Sequence, residues 1–352
     1  MMKRITLILL FLVALSGCKK IFLGEDVPND PVTNFELLWK DFDQHYGLFL
    51  ARGWDWDSIY NVYRPQVAAQ TTEIELWSVF KNMISYLDDG HTFIYSPLQR
   101  WFFTSGSEEN RVVQTEFSID LVKNKYLEDY QNIPDTGSDD GDVYIYGKVK
   151  NNDIGYVYLS GIEADDKDFM DHVLKQTGQH KAMILDLRNN SGGDDIIAEA
   201  IAGRFADGEH FIYTVQERNG PNHTDFAEKK NYYTKITGSE HFSKPLIVLT
   251  DRITISAAET LLLHLKSFSQ VTQIGDTTAG DFSDVGMRRF LPNGWQYRYS
   301  IMMFLLPDGS SLDGIGHIPD VQIRNSAYNI QFDIDLVFEK ALEYLFEEYG
   351  IE

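Results

Sequence analysis

The chain has 352 residues, 43% of them hydrophobic and 13% aromatic, which supplies a sizeable core and excludes a disordered polymer. Its 53 acidic residues against 31 basic ones give a net charge of −22. The acid is spread along the chain, and such a surface repels phosphate backbones, which argues against nucleic acid as a partner.

The chain opens with Lys3 and Arg4, followed by an apolar run from Ile5 to Leu15. That run is too short for a permanent membrane helix, and residues 1–17 read as a signal peptide. Cys18 is the only cysteine, so no intramolecular disulfide is available. It ends "LSGC", which resembles a bacterial lipobox. The resemblance implies that Cys18 is lipidated and tethers the mature chain to a membrane of the bacterial cell envelope. Residues 18–32 carry Pro28 and Pro31 and read as a tether.

Next the spacing predicts a helix from residue 33. Thr33 and Glu36 fit a capping box, and Phe35, Leu38, Trp39, Phe42 and Tyr46 recur at helical period. A second helix is expected from Thr72, with Glu75 closing its box and Leu76, Val79, Phe80, Met83 and Leu87 as its buried stripe. Gly90 is expected to end that helix in the left-handed conformation. Residues 33–100 thus form a small N-terminal helical domain, and His91 follows its second helix in "LDDGHT". Residues 101–150 read as a connector or degenerate small module, with turns and one short strand in "IPDTGSDDGDVYIYG". The Asp cluster there lacks the ligand spacing of a calcium loop.

Residues 151–352 alternate strand and helix, which predicts an α/β domain. "IGYVYLSG", "KAMILDLR", "PLIVLTD", "VTQIGD" and "YRYSIMMFLL" read as strands. Helices are expected over Ile196–Phe205, Ser256–Phe268 and "QFDIDLVFEKALEYLFEEY". Ser256 stands where a helix begins, and Glu259 completes a capping box with it. A cap is one use of that geometry. A nucleophile is another, because the helix N-terminus favours a developing negative charge and the Ala257 amide points at an oxyanion. "DLRNNSGGD" repeats the theme of buried strand, glycine turn and helix, and Gly192 or Gly193 supplies a second amide donor. The P-loop lysine, the Rossmann glycine spacing, HExxH and a zinc-type cysteine pair are all missing, so no metal or organic cofactor is called for.

The blocks "LDDGHT", "DLRNNSGGD", "LTDRITISAAET", "IGDTTAGD" and "LDGIGHIPDVQI" together resemble the carboxy-terminal (tail-specific) processing peptidases. The likeness is greatest to the branch that includes the tricorn core and the interphotoreceptor retinoid-binding repeats. It covers roughly residues 150–325, with "LDDGHT" as an added block. It implies a crotonase-like sheet-and-helix spiral as the catalytic domain. It also implies Ser256 as nucleophile and an oxyanion hole made by Gly192 or Gly193 with Ala257. The chain departs from the processing-peptidase pattern at the base. Asp281 stands where that branch has a lysine. The tricorn-like branch uses a histidine instead, which maps to His91, oriented by an acid that maps to Asp313. His317 is a rival base, while His45 and His264 read as structural. A peptide-binding PDZ module is not evident in residues 101–150.

The expectation is an envelope-tethered serine endopeptidase acting on polypeptides. The alternative is a decayed lipoprotein that binds a peptide or small ligand on the same fold.

Overall fold

A computed structural model describes residues 27–106, 114–133 and 143–352. The signal segment, Cys18 and the Asp cluster at 135–142 lie outside the described residues. The chain divides into two compact units. The first comprises residues 1–107, 217–227 and 283–302, and the second comprises 108–216, 228–282 and 303–352.

In the first unit, helix Pro31–His45 buries Phe35, Leu38 and Phe42 completely, while Trp39 stays half-buried. Each such side chain withdrawn from water contributes about 1.5–3 kcal/mol. The expected Thr33–Glu36 box is not what starts this helix. Asp30 is the cap, its carboxylate accepting the Thr33 amide at 3.0 Å, and Pro31 fills the first turn, where no amide is needed. Glu36 instead receives Arg64 and Tyr60.

Helix Glu73–Ser85 does start with the expected box. The Thr72 amide donates to the Glu75 carboxylate at 2.8 Å, and the Glu75 amide donates to Thr72 Oγ1 at 3.3 Å. Leu76, Val79, Phe80, Met83 and Leu87 are buried. At its far end Asp88, not Gly90, takes the left-handed conformation, at φ +46°. Arg52 holds the carbonyls of Leu87 and Asp88 there, and those bonds supply the terminus that a glycine cap otherwise would. Besides these helices the unit holds a four-stranded antiparallel sheet in the order Arg289–Phe290, Gln296–Arg298, Phe93–Ser96, Trp101–Thr104.

The second unit is the α/β body. Its seven-stranded sheet runs Val321–Gln322, Val271–Gly275, Leu246–Thr250, Ala182–Asp186, Ile154–Leu159, Tyr144–Val149, Leu127–Asn132. The first five are parallel and the last two antiparallel. Strands Ala182–Asp186 and Leu246–Thr250 are buried throughout because helices cover both faces, and so they read as unbroken apolar runs. Met183, Leu185, Leu246 and Val248 pack with helices Phe169–Thr177, Asp195–Ala202 and Ala257–Leu265. Ala182, Ile184, Ile247 and Leu249 pack on the other face with helix Leu336–Tyr349.

Two expected elements differ from the expectation. "YRYSIMMFLL" becomes strands Gln296–Arg298 and Met302–Leu305, which join different sheets. The expected C-terminal helix from Gln331 starts later, as Leu336–Tyr349, because Asp335 caps it by accepting the Phe338 amide at 3.0 Å, and a short helix Ala327–Gln331 precedes it.

Candidate active site

Three parallel neighbours, Ala182–Asp186, Leu246–Thr250 and Val271–Gly275, end side by side. Their following loops carry "RNNSGG", "DRITIS" and "DTTAGD". Open parallel sheets bind ligands at the carboxyl ends of their strands, so the topology alone brings these motifs to the place where a site is expected.

A buried carboxylate joins the first two loops. Asp251 accepts the Asn189 amide at 2.9 Å, the Ile253 amide at 2.9 Å and the Thr254 amide at 3.1 Å. Burial pushes its pKa up to about 6 against those donors. Thr254 Oγ1 donates to the Leu187 carbonyl at 2.8 Å, and the Ile255 amide to the Asn190 carbonyl at 3.2 Å. Beneath the first loop, Arg188 lies in a buried fork with Asp186 at 2.6 Å and Asp335 at 2.8 Å.

Ser256 follows at φ +60°, ψ −126°, with helix Ala257–Leu265 beginning immediately after it. A residue in that backbone region costs on the order of 1–3 kcal/mol, and an ordinary capping serine has no use for it. Gly192 lies directly against the serine. A β-carbon placed on Gly192 would stand 2.7 Å from Ser256 Cβ and 3.3 Å from its Oγ, and Gly192 itself has φ +85°. Only glycine satisfies both demands.

The two candidate glycines differ in their amides. Gly192 N–H donates to Asn190 Oδ1 at 2.8 Å. Gly193 N–H and Ala257 N–H have no acceptor among the described residues.

The third loop hangs on Glu259, which is fully buried. Its carboxylate accepts Thr278 Oγ1 at 2.6 Å and the amides of Gly280 at 2.8 Å, Asp281 at 2.9 Å and Ser256 at 3.2 Å. One side chain therefore ties the serine to the 278–281 turn. Burial, with the Asp281 charge adding to it, pushes the Glu259 pKa up to about 8 despite the four donors. Asp281, which the resemblance sets at the lysine position of the processing peptidases, is buried. Asp313 is buried beside it and accepts the Phe282 amide at 3.2 Å. The rival base His317 is engaged elsewhere. Its Nε2 donates to the Glu259 carbonyl at 3.0 Å, and burial lowers its pKa to about 3. His264 is a core group bonded to Thr234, and burial lowers its pKa to about 4.

A cleft of about 490 Å³ opens beside the glycine turn, lined by Phe117, Tyr158, Ser160, Asn189, Ser191 and Ile253, among others. No group of three or more His, Cys, Asp and Glu side chains among the described residues is arranged to hold a metal. His91 belongs to the first unit, whereas Ser256, Ala257, Gly192, Gly193 and Asp313 belong to the second. Glu259 and Asp251 were visible in the sequence only as a capping partner and a strand end. Their bonding partners lie 2 to 62 residues away, and those that join separate loops, 19 to 62 residues distant, are beyond the reach of any local pattern.

Residues 153–323 match the model of peptidase family S41, and residues 28–85 match that of the tricorn protease C1 domain. The carboxy-terminal processing protease CtpA of Bacillus subtilis is 30% identical over 187 residues, which are 52% of this chain and 38% of that relative. The chain spans less than half the length of such curated relatives. A crystal structure of a candidate peptidase from Parabacteroides merdae is 26% identical, with a TM-score of 0.80, covering 90% of this chain and 97% of that one. The tricorn protease shares the fold at a TM-score of 0.56 and 14% identity, over 91% of this chain and 37% of its own.

Proposed function

From the premise that residues 153–323 belong to peptidase family S41, we propose that this chain is a serine endopeptidase that cleaves polypeptides through an acyl-enzyme at Ser256. Ser256 Oγ attacks the scissile carbonyl carbon while His91 takes the hydroxyl proton. The carbonyl oxygen becomes an oxyanion, received by the Gly193 and Ala257 amides. The C–N bond then breaks, and the imidazolium returns its proton to the leaving amine. A water, deprotonated by the same ring, opens the ester and frees the serine. Imidazole suits the base role because its ordinary pKa of about 6.5 lies near working pH, whereas an ordinary carboxylate such as Asp281 is far weaker. Asp313 is the acid assigned to offset the imidazolium charge. The cleft beside the glycine turn is assigned to the substrate chain. Lipidation at Cys18 is assigned to hold the enzyme at the bacterial envelope, on the periplasmic or outer-membrane face.

The observation that carries this reading is the conformation of Ser256, strained and pressed against Gly192 where a relaxed cap would have served the helix. The test is kcat/KM against pH on a peptide substrate. The parent's activity should rise with pH through one limb set by the base. Ser256→Ala and His91→Ala should each lose roughly four orders of magnitude or more, and Asp281→Asn less than about tenfold. A His91→Ala enzyme near the parental rate would remove the histidine from the mechanism. It would leave the decayed or differently based site as the better reading.

A further inference from the structure

The loop that carries His91 is built around a second buried acid. Asp89 has no solvent exposure. Its Oδ1 accepts the His91 amide at 2.9 Å, and its Oδ2 accepts Thr92 Oγ1 at 2.8 Å. Its own amide donates to Ser105 Oγ at 3.4 Å, and that hydroxyl donates to the Ile84 carbonyl at 2.5 Å. The surrounding carbonyls are held as well. Trp54 Nε1 donates to Leu87 O at 3.3 Å, Thr104 Oγ1 to Gly90 O at 3.0 Å, and Arg298 Nε to His91 O at 3.5 Å. The His91 ring is half-buried, and its Nδ1 is buried with no hydrogen-bond partner among the described residues.

We propose that Asp89 is a positioning residue for His91. Its carboxylate fixes the loop that aims the ring, and its buried negative charge stabilises the imidazolium formed when the ring takes a proton.

A loop could be fixed by a neutral acceptor. Burying a carboxylate for that purpose alone would cost several kcal/mol in lost hydration. Arg52 offsets part of that cost permanently, and an imidazolium formed at His91 adds a further positive charge to the same water-excluded field. Asp89 is held ionised in this setting: burial opposes its charge, but the Arg52 guanidinium, His91 and hydrogen bonds from Thr92 and Ser300 together lower its pKa. The cations facing the carboxylate are Arg52, from helix Phe49–Arg52, and Arg298, from strand Gln296–Arg298. They share its field with the ring, so removing either should strengthen the hold of Asp89 on the imidazolium.

This inference rests on His91 being the base, and the experiment separates the two claims. The full chain is assayed as parent, His91→Ala, Asp89→Asn and Arg52→Gln, with kcat, KM and their pH profiles measured on one peptide. Asp89→Asn keeps the shape and removes the charge. It should lower kcat about tenfold or more with KM within about twofold, and move the acid limb to lower pH. Arg52→Gln keeps donors for the Leu87 and Asp88 carbonyls and should move the limb to higher pH. A folded Asp89→Asn enzyme with parental kcat and limb, beside an inactive His91→Ala, overturns the role of Asp89 alone. An active His91→Ala overturns the base and this inference together. If Asp89→Asn does not fold, an unmoved limb in Arg52→Gln overturns the charge argument.

Discussion

Two helices of this chain begin with the same four-residue signature, "TTEIE" around Thr72 and "ISAAE" around Ser256, and they are built differently. Both place a glutamate three residues after the hydroxyl, and in both its carboxylate accepts the cap amide. Thr72 sits at φ −74°, ψ 162°, the relaxed conformation of a cap. Ser256 sits at φ +60°, ψ −126°. Glu75 is exposed and bonds only within its own turn, whereas Glu259 is buried and also gathers three donors from the 278–281 turn. A motif that serves a helix end in one place holds a strained serine against a glycine in the other. The strain is stored where the neighbouring loops over-determine the backbone, which is the common pattern at reacting centres.

Changing the glycine tests this contrast most severely. Gly192→Ala would add a carbon 2.7 Å from Ser256 Cβ and 2.9 Å from the Ile255 carbonyl, at φ +85°. The serine loop has to move, and kcat on a peptide substrate should fall about 100-fold or more, the scale of a damaged oxyanion site. A variant with parental kcat would show that the packing of Gly192 on Ser256 does not position the nucleophile.

Removing the hydroxyls gives a smaller effect, read in stability. Ser256→Gly relieves a positive φ, so it should raise the unfolding free energy by about 1 kcal/mol while abolishing turnover. Thr72→Ala removes a relaxed cap and should lower stability by about 1 kcal/mol with turnover unchanged. Urea unfolding of the two variants checks the opposite signs. Losses of equal size in both would mean that Ser256 is a cap like Thr72.

The contrast also explains what could be read in advance. The strands at 182–186 and 246–250 were legible because both faces are buried and their sequences are apolar almost throughout, whereas Val271–Gly275 is buried yet carries Thr272 and Gln273. The stripe of helix Glu73–Ser85 was legible from its period. Strand Leu127–Asn132 was not, because it is a largely exposed edge with a polar sequence, and its register is set by Tyr144–Val149. Helix Phe169–Thr177 was hidden among acidic turn residues. Ser256, Gly192 and Gly193 stood out in the motifs. The functions of Asp251, Glu259 and Asp89 did not, since each carboxylate takes its meaning from groups that tertiary structure brings to it. Among the three, burial raises Asp251, burial together with the Asp281 charge raises Glu259, and only Asp89, facing cations, is lowered. Sequence spacing carries no information about that balance.

The most direct test of Ser256 as nucleophile is covalent labelling. The parent chain is treated with a serine-directed fluorophosphonate, digested, and mapped by mass spectrometry. The account predicts a single phosphonylated peptide containing residues 252–265, with the adduct on Ser256, and no labelling of Ser256→Ala. An adduct on another residue, or undiminished labelling of Ser256→Ala, would contradict it.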